Sequence, residues 1–184
     1  VLVLVLVCLF HVQMVYERPV DDSGLFSVIG AEYWKRTGKL PYGTEFGHMG
    51  VYGPLLYALH IPANAVFPPD VVFDKEEMAV RWGPFPEFEM RGAQTVILLF
   101  DLLAALGLYL LGRRYGGADS GVLLALVYLL CPYVIGIGGA GGLQWTSHIV
   151  GIPFIIFALF FAGSPVLAGL LLAVAAGMLY YPVF

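Results

Sequence analysis

Charge is what this chain has least of. Of its 184 residues only 12% are Asp, Glu, Lys or Arg, while 60% are apolar and the mean hydropathy is +0.85. Soluble domains carry about a quarter charged residues, so this composition excludes an ordinary cytosolic enzyme and a disordered tail. The net charge of -4 and the lack of a basic stripe exclude a nucleic-acid binder. Cysteine is almost absent too. Cys8 and Cys131 lie in separate apolar runs, which excludes a disulfide framework and zinc-knuckle spacing. No short solenoid repeat is present. The glycine run Gly136 to Gly142 is no dinucleotide fingerprint, because no strand pattern precedes it. What remains is an all-α, multi-pass protein of the cell membrane, with helices preferred because lipid cannot satisfy free backbone groups.

The few charges are sorted along the chain. Of the 22, 18 fall between Glu17 and Arg91, and only Asp101, Arg113, Arg114 and Asp119 follow. Breaks at Gly, Pro and charged residues divide the apolar parts into about five expected spans: 1-16, 94-112, 121-138, 146-162 and 165-184. A span needs roughly 20 residues. Three regions result: a first transmembrane helix over 1-16, an external loop over 17-93, and transmembrane helices two to five over 94-184. The missing initial Met and the apolar end at Phe184 read as a fragment of a longer chain. A signal-peptide reading of Val1 to Tyr16 lacks a small-residue cleavage site, because Glu17-Arg18-Pro19 follows. The short basic turn at Arg113-Arg114 belongs in the cytoplasm by the positive-inside rule, which places 17-93 outside.

The polar block is not a linker. Trp34, Trp82 and many Tyr and Phe residues argue for order. Asp21-Asp22-Ser23 is a helix start, Gly38 is a helix stop, and Leu25, Phe26, Ile29 and Tyr33 share one side at helical spacing. This predicts an amphipathic helix on the outer membrane face. Gly53-Pro54 opens a second apolar stretch to Phe67, which Pro62 is expected to kink or end.

Candidate functional residues concentrate at the outer end. Asp21 and Asp22 sit where a carboxylate can deprotonate an acceptor hydroxyl at headgroup depth. The alternative role is a helix cap from Asp22 or Ser23. Asp101, about seven residues inside the second span, is an intramembrane ionisable group and so a functional candidate, or else a hydrogen-bond partner of a neighbouring helix. Gln144 and His148 share a helix face and suit a sugar pocket, with Trp145 as a stacking surface or an interfacial belt residue. Arg81 and Arg91 are candidates for a lipid phosphate, and Tyr42 for substrate binding. His48 and His60 fit no known metal-ligand spacing, so metal ligands stay unassigned. His11, within the first span, reads as a helix–helix contact.

The order of motifs resembles a known family. After a first span come Asp21-Asp22-Ser23, Gly38-Lys39-Leu40-Pro41-Tyr42-Gly43 and Tyr52-Gly53-Pro54-Leu55-Leu56-Tyr57. Phe100-Asp101-Leu102-Leu103, Arg113-Arg114, Cys131-Pro132 and Ala168-Gly169-Leu170-Leu171 follow. Together they resemble the GT-C superfamily of membrane glycosyltransferases, in its mannosyltransferase-like branch. The resemblance implies a polyprenyl-phosphate-sugar donor, inverting transfer of a hexose such as mannose, and a glycan, lipid or protein acceptor. It also implies an early external Asp as base, here Asp22 with Asp21 as the close alternative. No cofactor is fixed, and a divalent cation is the one candidate. Leu179-Tyr180-Tyr181-Pro182 lacks the basic residue that this branch often carries before a Pro. The rival classes are a polytopic transporter or flippase subunit and a non-catalytic membrane scaffold.

Overall fold

The computed structural model describes residues 2–42, 52–69, 72–73, 80–81, 90–137 and 142–178. It is all-α apart from one two-residue antiparallel pairing of β1 (Val72–Phe73) with β2 (Val80–Arg81). The helices are α1 (Leu2–Glu17), α2 (Asp22–Thr37), α3 (Pro54–Val66), α4 (Arg91–Leu129), α5 (Pro132–Ile135), α6 (Thr146–Ile149), α7 (Ile152–Phe160) and α8 (Pro165–Met178).

The continuous run of α4 hides a reversal. Gly117 has φ 84° and ψ -179°, a conformation essentially reserved for glycine. There the chain folds back, so that 91–116 and 118–129 form two arms. The arms touch at glycines: a Cβ on Gly112 would stand 2.7 Å from the Ser120 carbonyl oxygen and 2.8 Å from the Gly121 Cα. The expected basic turn is therefore present. The second arm, however, stops at Leu129, well short of the expected 138, because Cys131-Pro132 starts the separate short helix α5. The stretch expected over 146-162 is likewise split into α6 and α7 by a turn at Val150 and Gly151. The end of the stretch expected over 165-184 lies outside the described residues beyond Met178.

Cross-links sort the molecule into two ends. At one end, Tyr16 Oη meets Thr95 Oγ1 at 3.1 Å, Gln94 Nε2 donates to the Arg18 carbonyl (3.0 Å), and Gly53 N–H donates to the Met178 carbonyl (2.9 Å). At the other end Arg114 reaches the Phe160 carbonyl, and Leu4 shares an apolar cavity of about 310 Å³ with Tyr109 and Val122. Five apolar helical segments lie between these ends: α1, the two arms of α4, α7 and α8. Among the described residues only Arg91–Leu129, counted across the reversal at Gly117, passes the length and hydropathy of a membrane span.

Polarity is inverted relative to a water-soluble domain. Leu2, Leu9, Leu123, Val127, Val166 and Leu170 are exposed, Val166 to 76%, whereas His11, His60, Asp101 and Thr146 are fully buried. The polar-loop helices are more deeply embedded than their pattern predicts. In α2, Ser23, Ser27, Val28, Ile29, Glu32 and Tyr33 are buried, while Leu25 and Phe26 of the expected apolar face are only half-buried. The cause is packing on two sides: Gly30 meets the Tyr57 ring of α3, and Gly24 meets Thr146 of α6. Helix α3 runs through Pro62 to Val66 instead of ending there.

Backbone proximity makes the hairpin a substitution-sensitive joint. Gly117→Ala is expected to cost about 1–3 kcal/mol through φ strain, and Gly112→Leu at least about 1–3 kcal/mol through overpacking. Gly169→Ala, with nothing within 4 Å of its added Cβ, is the matched neutral control. Thermal unfolding of the detergent-solubilised protein measures all three; equal melting temperatures would contradict the tight turn.

Candidate functional site

The polar end is built around the start of α2. Asp21 caps the helix: its Oδ1 accepts from Gly24 N–H (3.2 Å) and from the Ser23 hydroxyl (2.7 Å). The sequence pointed to Asp22 or Ser23 as the cap, but the extended backbone of Asp21 (ψ 179°) puts its carboxylate over the first turn. Asp22 becomes the first helical residue, and its side chain lies outside the described atoms. The same corner is joined to the segment before α6. Asp21 N–H donates to the Gln144 carbonyl (3.1 Å), and Ser147 N–H donates to the buried Ser23 Oγ (3.2 Å). Two stretches more than 120 residues apart are thus held by one backbone–backbone and one backbone–side-chain hydrogen bond. Thr146, fully buried, has a hydroxyl with no hydrogen bond among the described residues.

Asp21, Gln144 and His148 therefore belong to one neighbourhood. His148 stands in an aromatic cluster: the Tyr133 ring lies 6.2 Å away at 14° between planes, and the Trp145 ring 4.6 Å away at 42°. A hydrogen bond between Tyr133 Oη and His148 Nδ1 fixes the pair. Tyr133 was not singled out from the sequence, because α5 is only four residues long and shows no periodicity.

Arginine supplies the positive charge at this end. Arg91, the first residue of α4, lies 5.2 Å above the Tyr16 ring. Arg18, also missed in the sequence, donates to the Ile135 carbonyl, and no carboxylate among the described residues pairs with it. Its proximity to Asp21 in the chain was the available signal. The Arg81 side chain lies outside the described atoms. Tyr42 is elsewhere: it follows the far end of α2, roughly 24 Å of helix from Asp21, and its hydroxyl donates to the Tyr52 carbonyl (2.8 Å).

Asp101 forms a separate centre. Its Oδ2 is 2.7 Å from His11 Nδ1, and His11 Nε2 donates to the Leu129 carbonyl (2.8 Å). Both side chains are fully buried. A carbonyl oxygen only accepts, so Nε2 carries a hydrogen. The proton between Nδ1 and Oδ2 then makes the pair either imidazolium–carboxylate or imidazole–carboxylic acid. His11 is thus the helix–helix contact expected, and Asp101 has the neighbouring-helix partner.

His60 is buried in α3. Its Nδ1 donates to the Leu56 carbonyl (2.8 Å), and Nε2 has no hydrogen bond among the described residues. Burial pushes its pKa down to about 4, against a smaller upward pull from the Leu56 bond. His48 lies outside the described residues, and among those described no three His, Cys, Asp or Glu side chains come together to hold a metal. No family model, curated protein or solved structure matches the chain.

Two measurements follow from this geometry. Because the folded-state pKa of His60 is depressed, the unfolded chain binds the proton first. The stability present above pH 6.5 is therefore lost as pH falls from 6.5 toward 4, by up to about 1.4 kcal/mol per pH unit. Chemical denaturation of wild type and His60→Phe should show a steeper loss over this range in the former. For the inner pair, His11→Leu and Asp101→Leu are each expected to destabilise strongly and the double variant by less than their sum. A coupling of about 1–3 kcal/mol is expected from a double-mutant cycle, and strict additivity would deny the contact.

Proposed function

We propose that this chain is a polytopic membrane glycosyltransferase of the GT-C kind. It moves a hexose from a polyprenyl-phosphate donor to an acceptor hydroxyl at the polar, outer end of the helices. One observation carries this reading: the five passes gather Asp21, Asp22, Arg18, Arg91 and the Gln144–His148 segment at a single end of a body whose flanks expose leucine and valine. Such flanks suit hydrocarbon. In water, so many exposed large apolar side chains would be an aggregation hazard.

The chemistry needs little from the protein. In the proposed step the acceptor oxygen attacks the anomeric carbon as the bond from that carbon to the phosphate oxygen breaks. The lipid phosphate leaves as an anion, so no general acid is required. The acceptor proton passes to a carboxylate. Attack opposite the leaving group inverts the anomeric centre. As the family resemblance implies, the base role is assigned to Asp22, with Asp21 as the close alternative that also holds the helix start in place through its Oδ1. Arg18 and Arg91 supply positive charge for the leaving phosphate.

The His11–Asp101 pair supports a second reading, a transporter. Buried ionisable groups inside apolar passes are characteristic of ion-coupled carriers. Its two side chains are, however, tied to each other and to Leu129, and the other charges of the described helices lie toward the two ends rather than the midplane.

Turnover of a radiolabelled polyprenyl-phosphate hexose by the full-length protein in lipid separates these readings. Asp22→Asn is expected to lower turnover by about 10²–10⁴-fold. Asp21→Asn, which preserves a capping oxygen, is expected to lower it only a few-fold. Wild-type turnover in Asp22→Asn would remove the base assignment, and flux of a solute across proteoliposomes without sugar transfer would favour the carrier.

A further inference from the structure

We infer that Tyr133, His148 and Trp145 form a binding shelf for a pyranose ring, so that the protein holds a sugar by stacking at its outer end. The inference depends on the glycosyl-transfer reading for the source of that sugar, but it concerns binding alone.

Three observations carry it. First, the rings form a continuous surface: Tyr133 and His148 are nearly parallel, and Trp145 leans on His148 at 4.6 Å. Tyr133 is 50% exposed and the other two are partly exposed, so part of this aromatic surface is open. Second, the stack is held from outside itself. Tyr133 sits on α5, whose last carbonyl, at Ile135, takes the Arg18 guanidinium. The residue before Trp145, Gln144, accepts the Asp21 N–H through its carbonyl. A preformed shelf loses little side-chain entropy on binding. Third, polar edges remain at its rim. His148 Nε2 and the Trp145 indole N–H have no hydrogen-bond partner among the described residues.

A ligand for this surface needs one apolar face and a polar perimeter. Aromatic faces are electron-rich and attract weakly positive C–H groups. A pyranose has that form: axial C–H bonds on one face and hydroxyls around its edge. An acyl or isoprenoid chain would use the rings but not the polar edges. An anion would meet the negative face of the rings, which repels it. The backbone link from Gln144 to Asp21 places the shelf at the corner where sugar transfer is proposed. The ring held there belongs either to the acceptor glycan or to the lipid-linked donor.

Saturation-transfer NMR on the full-length protein in nanodiscs tests the shelf without turnover. One arm uses a soluble mannose oligosaccharide and the other a short-chain polyprenyl-phosphate mannose, each with the parent polyprenyl phosphate as sugar-free control. The expected result is transfer to the C–H protons of one ring face in at least one arm. Affinity should fall about tenfold or more in Trp145→Ala and in Tyr133→Ala but be largely kept in Trp145→Phe. Signal in the oligosaccharide arm assigns the shelf to the acceptor; signal in the lipid arm alone assigns it to the donor. His148→Gln, which removes the central ring, is the second variant should an alanine variant melt early. Absence of ring-face transfer in wild type in both arms, or affinity unchanged in well-folded Trp145→Ala and His148→Gln, overturns the inference. So does loss in Trp145→Ala of affinity for the sugar-free lipid equal to the loss for the sugar-bearing one. Sugar binding that persists in Asp22→Asn without turnover upholds the shelf while leaving the catalytic assignment to be judged by its own assay.

Discussion

One imidazole joins three of the five passes. His11 reaches Asp101 with one ring nitrogen and the Leu129 carbonyl with the other, so α1 is bound to both arms of α4 at a single point. In the proposed membrane setting this would matter more than in water, because lipid tails are as apolar as leucine. Helices there associate through close packing and polar contacts instead of through expulsion of solvent. The glycine contact between Gly112 and Gly121 supplies the close packing on one side of that point, and the imidazole supplies the polar contact. With the inner positions used this way, apolar side chains are left to face outward, which is the inverted polarity of this molecule.

The same constraint shapes the polar end. A helix start leaves backbone N–H groups unsatisfied, and the first turn of α2 is largely buried. Asp21 supplies an acceptor for Gly24 N–H, and Gln144 supplies one for the N–H of Asp21 itself. Ser23 completes the corner by donating to Asp21 and accepting from Ser147. Glycine is needed at position 24 because any Cβ would come within 2.8 Å of Thr146 Oγ1 and still closer to Val20. Capping and long-range docking are therefore one network, which is why a loop residue near position 144 and a helix start near position 21 are placed relative to each other with little freedom.

Features with a local cause were legible in the sequence. Helix α2 begins and ends at its Asp and Gly signals, α3 starts at Pro54, and the reversal falls in the Arg113–Gly117 turn because glycine alone tolerates that backbone. Features that depend on distant partners were not. Periodicity places Leu25, Phe26, Ile29 and Tyr33 on one side of α2; Ile29 and Tyr33 are buried, Leu25 and Phe26 are half-buried, and the polar Ser27 and Glu32 are buried as well. Cys131-Pro132 was visible, yet nothing local announced that the chain after it would form a four-residue helix capped by Arg18. Tyr133 has no signal of its own; only the folded position of His148 gives it a role.

The division between a buried centre and a polar end also bears on how the two can influence each other. His11 and Arg18 lie seven residues apart, about two turns or roughly 10 Å along one rod. Asp101 and Gln94 are likewise seven apart on the first arm of α4. The contacts His11–Asp101 below and Arg18–Gln94 above are therefore two rungs between the same pair of rods. Two rungs fix both the spacing and the relative sliding of α1 and α4, where one would fix only a point. Asp21 follows Arg18 by three residues, so its position against Gln144 is inherited from these rungs. In the proposed transfer the carboxylate beside this cap, Asp22, would rely on such support, because a register slip of a single helical residue displaces the helix end by about 1.5 Å. Displacements of about 1 Å can already cost two orders of magnitude in rate.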